Sequence, residues 1–274
     1  MKYCLAVALG LIMLKGWAQV PVIGARSAGV GHASVTLREA DALFANISGT
    51  AHVRRSSLWT GYENRFGLSE GLHAVAAGFI QPTRYGTGSV SVYRFGDALY
   101  SQHRLSLGIS HRIEQFSIGL RLSEYQYYIE GFGTRFRTVI DLGGQAQLSP
   151  QVVVGMQLLN VTQATLSDVS DEKIPTRVQV GLSYRPVAAW RLNAEVEHEV
   201  TQRPNVKAGV EYTARQQFSL RTGFNSVDLR QFFGIGWKHR LLVADYALST
   251  HMRLGLSHQV SLTYHLFKRR GEDE

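Results

Sequence analysis

The stretch WRLNAEVEHEVTQRPNVKAGVEYTARQQFSLRTGFN, from Trp190 to Asn225, decides the fold. Its first segment sets Trp190, Leu192, Ala194, Val196, His198 and Val200 against Arg191, Asn193, Glu195, Glu197 and Glu199. After the turn-like Gln202-Arg203-Pro204-Asn205, Val206, Ala208, Val210, Tyr212 and Ala214 alternate with Lys207, Gly209, Glu211 and Thr213. From Phe218 the alternation runs a third time, with Leu220, Thr222 and Phe224 against Ser219, Arg221, Gly223 and Asn225. Period-2 alternation means strands with one apolar and one polar face. Adjacent strands of about ten residues, joined by short turns, form an antiparallel meander whose strand length suits a tilted crossing of a bilayer.

The same reading extends outward. Fourteen strand-like segments lie near 53–64, 70–81, 86–96, 101–113, 115–128, 133–148, 151–163, 175–187, 190–201, 204–214, 216–225, 228–238, 240–250 and 254–267. Gln81-Pro82-Thr83, Phe95-Gly96-Asp97, Ser149-Pro150 and Arg185-Pro186 mark turns between them. An even strand count closes without an edge, which a bilayer requires. Gln163 to Pro175 reads as the longest exposed loop, and the aromatics from Tyr125 to Phe136 read as strand ends and a loop at a membrane interface. Only 18% of residues are charged and mean hydropathy is −0.09, as in a barrel with a polar lumen rather than a helical membrane protein.

Residues 1–18 read as a secretory signal: Lys2, an apolar run from Cys4 to Leu14, then Gly16-Trp17-Ala18 before a mature start at Gln19. Cys4 is the sole cysteine, so mature protein has no thiol chemistry. The net charge of +8 is spread singly along strands, which argues against nucleic acid as a partner. Residues 19–51 differ from the rest, being rich in Gly, Ala and Ser, with a short helix expected over Leu37 to Phe44, capped by Thr36 with Glu39 three residues on. The barrel would occupy 52–267 and a tail 268–274.

Arg177, Arg185, Glu195, Glu197, Glu199, Lys207 and Glu211 are expected as lumen charges that pair across strands. Carboxylates at i, i+2 lie about 7 Å apart, a spacing a hydrolase could use. No Gly-x-Ser-x-Gly elbow or His pair at helical spacing accompanies them, so no enzyme, metal or cofactor is expected. Arg26, set in a Gly-Ala-rich segment, needs an acidic partner if buried, and the wall glutamates are the candidates.

The segment Gly24 to Gly49 resembles the N-terminal signature of the PorV/PorQ-like outer-membrane proteins, relatives of the FadL fatty acid transporters. Gly24-Ala25-Arg26, Gly29, Gly31, Ala33, Asp41, Asn46 and Gly49 carry the match, over about a tenth of the chain. Ile47-Ser48 stand where the family has Pro-Ala. The resemblance implies an all-β fold, a 14-stranded antiparallel transmembrane β-barrel in the outer membrane of a Gram-negative bacterium, with the N-terminal segment folded into the lumen as a plug. It implies an accessory of type IX secretion or surface assembly, with secretion components or secreted cargo as partners beside outer-membrane lipid. The alternative it implies is a FadL-like channel for hydrophobic compounds.

Overall fold

The alternating segments pair in sequence order and the last pairs with the first. In a computed structural model that describes residues 23–67, 73–165, 174–199, 202–227, 229–251 and 253–266, the strands form one closed antiparallel barrel. They are β1 (Ser57–Asn64), β2 (His73–Thr83), β3 (Gly86–Gly96), β4 (Tyr100–Ile113), β5 (Phe116–Ile129), β6 (Gly133–Gln147) and β7 (Val152–Leu159). The second half holds β8 (Arg177–Tyr184), β9 (Trp190–Glu199), β10 (Asn205–Ala214), β11 (Phe218–Asn225), β12 (Arg230–His239), β13 (Leu242–His251) and β14 (Gly255–His265). All fourteen expected strands are present. The segment expected over 151–163 stops at Leu159, because Asn160 turns the chain at φ 55°. The signal and mature start, the core of the 163–175 loop and the 268–274 tail lie outside the described residues.

Closure pairs Ser57 with His265 through Asn64 with His258, so no strand edge is left unpaired within the bilayer. The apolar set of each strand faces outward. Leu105, Leu107 and Ile109 are exposed on β4, and Leu192 and Val196 on β9. Two girdles bound this apolar band. Tyr184, Trp190, Tyr212, Phe218, Trp237 and Tyr264 ring one end, next to the turns at 185–189, 215–217 and 240–241. Tyr62, Tyr128, Phe224 and Tyr246 stand toward the other. From Trp190 to His198, a rise of about 3.3 Å per residue and a tilt of about 40° give about 20 Å along the membrane normal, close to the band of a membrane barrel.

The chain enters and leaves the barrel at the same end, where the connections are short. The 160–176 connection lies at the opposite end. Short turns face the periplasm and longer loops the exterior in such barrels, which orients this one. β4, β5 and β6 rise above the other strands at the outer end. There Arg137 donates to the Thr165 carbonyl at 2.6 Å, and Ile174 packs on Tyr125, Tyr127 and Val139. Tyr125 and Tyr127 therefore point into the lumen and are buried, not set at the membrane interface as the sequence suggested. Phe132 and Phe136, by contrast, are exposed.

Residues 23–52 are almost wholly buried inside the barrel. They form one helical turn, α1 (Ala25–Gly29), and two 3-10 turns, Ala40–Leu43 and Ile47–His52, joined by irregular chain. The helix expected over Leu37 to Phe44 is absent. Its start is broken by Glu39 at φ 78°, and its carbonyls are taken by the wall: Gln145 Nε2 donates to Leu37 O at 2.9 Å and Arg121 Nη1 to Leu43 O at 3.0 Å. A carbonyl already satisfied by a side chain gains little from an intrahelical bond.

Candidate functional site

The inward face of the wall is polar where the plug shows backbone, and apolar where the plug shows side chains. Three anchors hold the backbone. Glu195 Oε2 on β9 accepts from the Ser34 and Val35 amides, both at 2.7 Å, while Lys207 on β10 donates to Glu195 at 2.9 Å and Glu197 at 2.9 Å. Arg177 on β8 lies 3.6 Å from Glu197. Asn46 Nδ2 donates to Val35 O at 2.8 Å and reaches Gly144 O and Met156 O at 3.2 Å, and its Oδ1 caps the following turn at Ser48 N. Gln157 and Arg121 take the Ala45 carbonyl, and Arg121 is held by Asp141 at 2.8 Å.

The fourth anchor is ionic. Arg26, at the heart of α1, meets Glu211 with both Nε and Nη2 at 3.2 Å, a two-point fork, and Nη1 lies 3.0 Å from Glu39 and 3.7 Å from Asp41. Glu211 also accepts from Arg221 at 2.6 Å, and Arg221 bridges on to Asp245 at 2.6 Å. Although burial alone would lower the pKa of Arg26, Glu211, Glu39 and Asp41 raise it well above its ordinary value. Burial, aided by Asp245, pushes Asp41 up to about 6 despite Arg26. Its Oδ1 accepts from Trp59 Nε1 at 3.2 Å. Burial also lowers His32 to about 3, with Lys207 and Arg230 adding to the effect.

Of the expected lumen charges, Glu195, Glu197, Lys207 and Arg177 form one cluster and Glu211 belongs to the Arg26 cluster. Glu199 shares their face and accepts from Gln202 at 2.7 Å. Arg185 also reaches the lumen, at its periplasmic mouth. It follows the last residue of β8, is exposed, and borders a cavity of about 170 Å³ under the plug, where Arg26, Glu39 and Glu211 come to the periplasmic side. The signature residues Gly24, Ala25, Gly29, Gly31 and Gly49 are all buried in the plug beside Arg26, Asp41 and Asn46.

Sequence reasoning missed Gln145, Gln157, Arg121, Asp141, Arg221 and Asp245. It also missed what the inward glycines do. A Cβ on Gly223 would sit 2.1 Å from Gly31 N, and one on Gly209 2.4 Å from Val30 O, so plug backbone lies directly on wall backbone there. The available signal was glycine recurring on the polar face of successive strands.

The largest apolar cluster of the lumen lies on one side. Leu43, Phe44 and Ile47 of the plug pack with Trp59, Ala74, Ala76, Ile80 and Tyr93 of β1–β3. Beside them stands Arg104, 4% exposed, whose guanidinium is flanked by the rings of Phe44, Tyr93 and Tyr125 at 5.2–5.8 Å and hydrogen-bonded to Tyr125 Oη at 3.2 Å. β2 has no polar residue from Ala74 to Ile80 on either face. Outside the same strands lies an apolar groove of about 550 Å³, bounded by Leu58, Phe79, Val92 and Leu262 and floored by Trp59, Gly78 and Ser91. The ladders that join β1 to β2, β2 to β3 and β3 to β4 are unbroken, so the wall is shut.

No protein-family model matches this sequence, and no curated protein does. Solved structures do. The crystal structure of the P. putida toluene transporter TodX superposes with a TM-score of 0.70 at 10% identity, over 91% of this chain and 100% of that one. The CymD monoaromatic hydrocarbon channel gives 0.66 at 12% identity, over 90% and 98%. The Acinetobacter baumannii outer membrane protein Omp33 gives 0.50 at 6% identity, over 77% and 98%. At such identities the likeness is one of fold: a 14-stranded barrel of the outer-membrane type. Nothing in it singles out the PorV/PorQ group.

Proposed function

We propose that this barrel is a FadL-like conduit for small hydrophobic compounds in the outer membrane of a Gram-negative bacterium. One observation carries the reading: β2 is apolar on both faces, with the apolar half of the plug behind it and the apolar groove in front. An apolar solute favours a continuous apolar path by about 25 cal/mol per Å² of surface kept from water. The rest of the described lumen wall is mainly charges, amides and hydroxyls, interrupted by smaller apolar clusters at Phe232 and Ala247 and at Tyr125, Tyr127 and Val139. Gly78 is the thinnest point, because a Cβ there would lie 2.3 Å from Leu43 Cδ2. In the closed state Leu43 stops the path, and a shift of the 40–43 turn would clear it. TodX and CymD, named for toluene and monoaromatic hydrocarbons, support this substrate class by fold and by nearly full-length overlap.

The test is uptake of labelled toluene and of a labelled long-chain alkane by a deletion strain, with complementation by wild type and by Ala76→Gln. The reading expects uptake to fall to background on deletion, to return with wild type, and to return only in part with Ala76→Gln. Unchanged uptake, with several large exported proteins lost from the cell surface, would instead support the accessory role in type IX secretion.

A further inference from the structure

The membrane-facing surface is nearly free of charge, and its one full cation is placed where a lipid headgroup would meet it. Among the described strands, Arg94 is the only arginine or lysine whose position faces outward, and Glu124 the only carboxylate. The register sets Arg94 directly across from His103, His103 from Gln126, and Arg94 from Val75, which itself faces Tyr62. One step nearer the outer end, His258, Asn64 and His73 form a second outward row on β14, β1 and β2. Tyr62 and Tyr246 hydrogen-bond to the Nδ1 atoms of His73 and His258 at 2.8 and 2.7 Å.

Arg94, His103 and His258 lie two to three residues from the strand ends beside the 97–99 and 252–254 connections, and Asn64 and His73 are themselves strand ends, all on the side assigned to the exterior. An arginine costs about 2–4 kcal/mol at the bilayer midplane and about 0–1 near an interface, so this depth is tolerable. Tolerance does not explain pairing. The Arg94 side chain is exposed, and neither it nor the His103 side chain has a hydrogen-bond or ion-pair partner among the described residues. Directly below them Val92 and Leu105 offer an apolar surface. At the same height on the far wall, Val206, Phe224 and Gln231 supply no cation.

We propose that Arg94 and His103 form a site for the phosphate of an outer-leaflet glycolipid of the lipid A type. The Arg94 guanidinium grips the phosphate oxygens, an imidazole N–H of His103 donates beside it, and the acyl chains lie along Val92 and Leu105. The planar fork of arginine suits phosphate, and the low-dielectric surroundings strengthen the contact. This site is independent of the plug and of what the lumen carries.

The experiment uses the full mature chain purified in mild detergent. Bound lipid is read by native mass spectrometry after incubation with bis-phosphorylated lipid A or with the same lipid stripped of both phosphates. Wild type is expected to retain the phosphorylated form. Arg94→Gln should weaken that binding about tenfold, the scale of one lost charge-assisted contact, and Arg94→Lys should keep part of it. Arg215→Gln, in a turn at the opposite end, should leave it unchanged. Equal retention of both lipids by wild type, or equal binding by wild type and Arg94→Gln in variants that keep the heat-modifiable folded band, would overturn the proposal.

Discussion

Glu211 accepts hydrogen bonds from two arginines that belong to different bodies, Arg26 of the plug and Arg221 of the wall. Remove Arg26 and a buried carboxylate cluster of Glu211, Asp41 and Asp245 is left with only Arg221 and the more distant Arg191. Breaking such a pair on one side costs about 3–5 kcal/mol. Arg26→Ala is therefore expected to free the plug from the wall. Limited proteolysis within 23–52 should speed up and small-ion conductance in planar bilayers should rise; if neither changes, the anchor is not what holds the segment. The buried titratable groups of the plug make a second, opposite-signed pair. His32 is held neutral, at about 3 against an ordinary 6.5, so docking it opposes protonation and its contribution is lost as pH falls from 6.5 toward 3. Asp41 is raised to about 6 from an ordinary 3.8, so docking favours its acid form and weakens as pH rises from 3.8 to 6. Between 3.8 and 6 the two offset one another. In His32→Asn the opposing share falls to that of His52, which burial lowers to about 4, so docking should respond more favourably to acidification over that window than in wild type. A Ser34→Cys reporter labelled with a membrane-impermeant maleimide measures this, and identical pH profiles with and without His32 would refute it.

At the level of elements, the strands were legible and the plug was not. Alternation such as Phe116, Ile118, Leu120 and Leu122 against Ser117, Gly119, Arg121 and Ser123 depends only on two unlike solvents on the two sides of a strand, so it survives without knowledge of any partner. The plug has no such periodicity. Leu37 to Phe44 reads as helix by local propensity, but Gln145 and Arg121 supply non-local partners that outcompete it, and no pattern within residues 37–44 reveals them. Arg26 was legible as a buried cation because its Gly-Ala setting implies burial; Glu211 was one of several equivalent glutamates until the register fixed which one it meets. The glycines on the inner wall mark where plug and wall touch. Gly223→Ala puts a carbon into the Gly31 amide, which has no side chain that could yield. It should displace the 30–35 chain and raise maleimide labelling of the same Ser34→Cys reporter. Gly88→Ala, where a Cβ meets nothing within 4 Å, should not.

For the whole molecule, wall and plug divide the work between them. All fourteen ladders close without any plug residue, so a chain lacking 23–52 is expected to fold into a heat-modifiable barrel, with an open polar lumen and a conductance well above wild type. Failure of that truncated chain to fold would mean that the plug is part of the wall's stability. The unbroken seam between β1 and β14 carries a consequence of another kind. It joins Ser57 to His265, the most distant pairing in the chain, and such contacts form late because the loop they close is the longest. The plug runs without interruption into β1, and its backbone is overlaid by wall backbone at β10 and β11. A segment this tightly enclosed is most simply in place before the last seam zips. Biogenesis would then follow a fixed order, with the N-terminal segment seated before the sheet closes around it, and anchor variants such as Arg26→Ala would slow maturation in the cell as well as loosen the finished barrel.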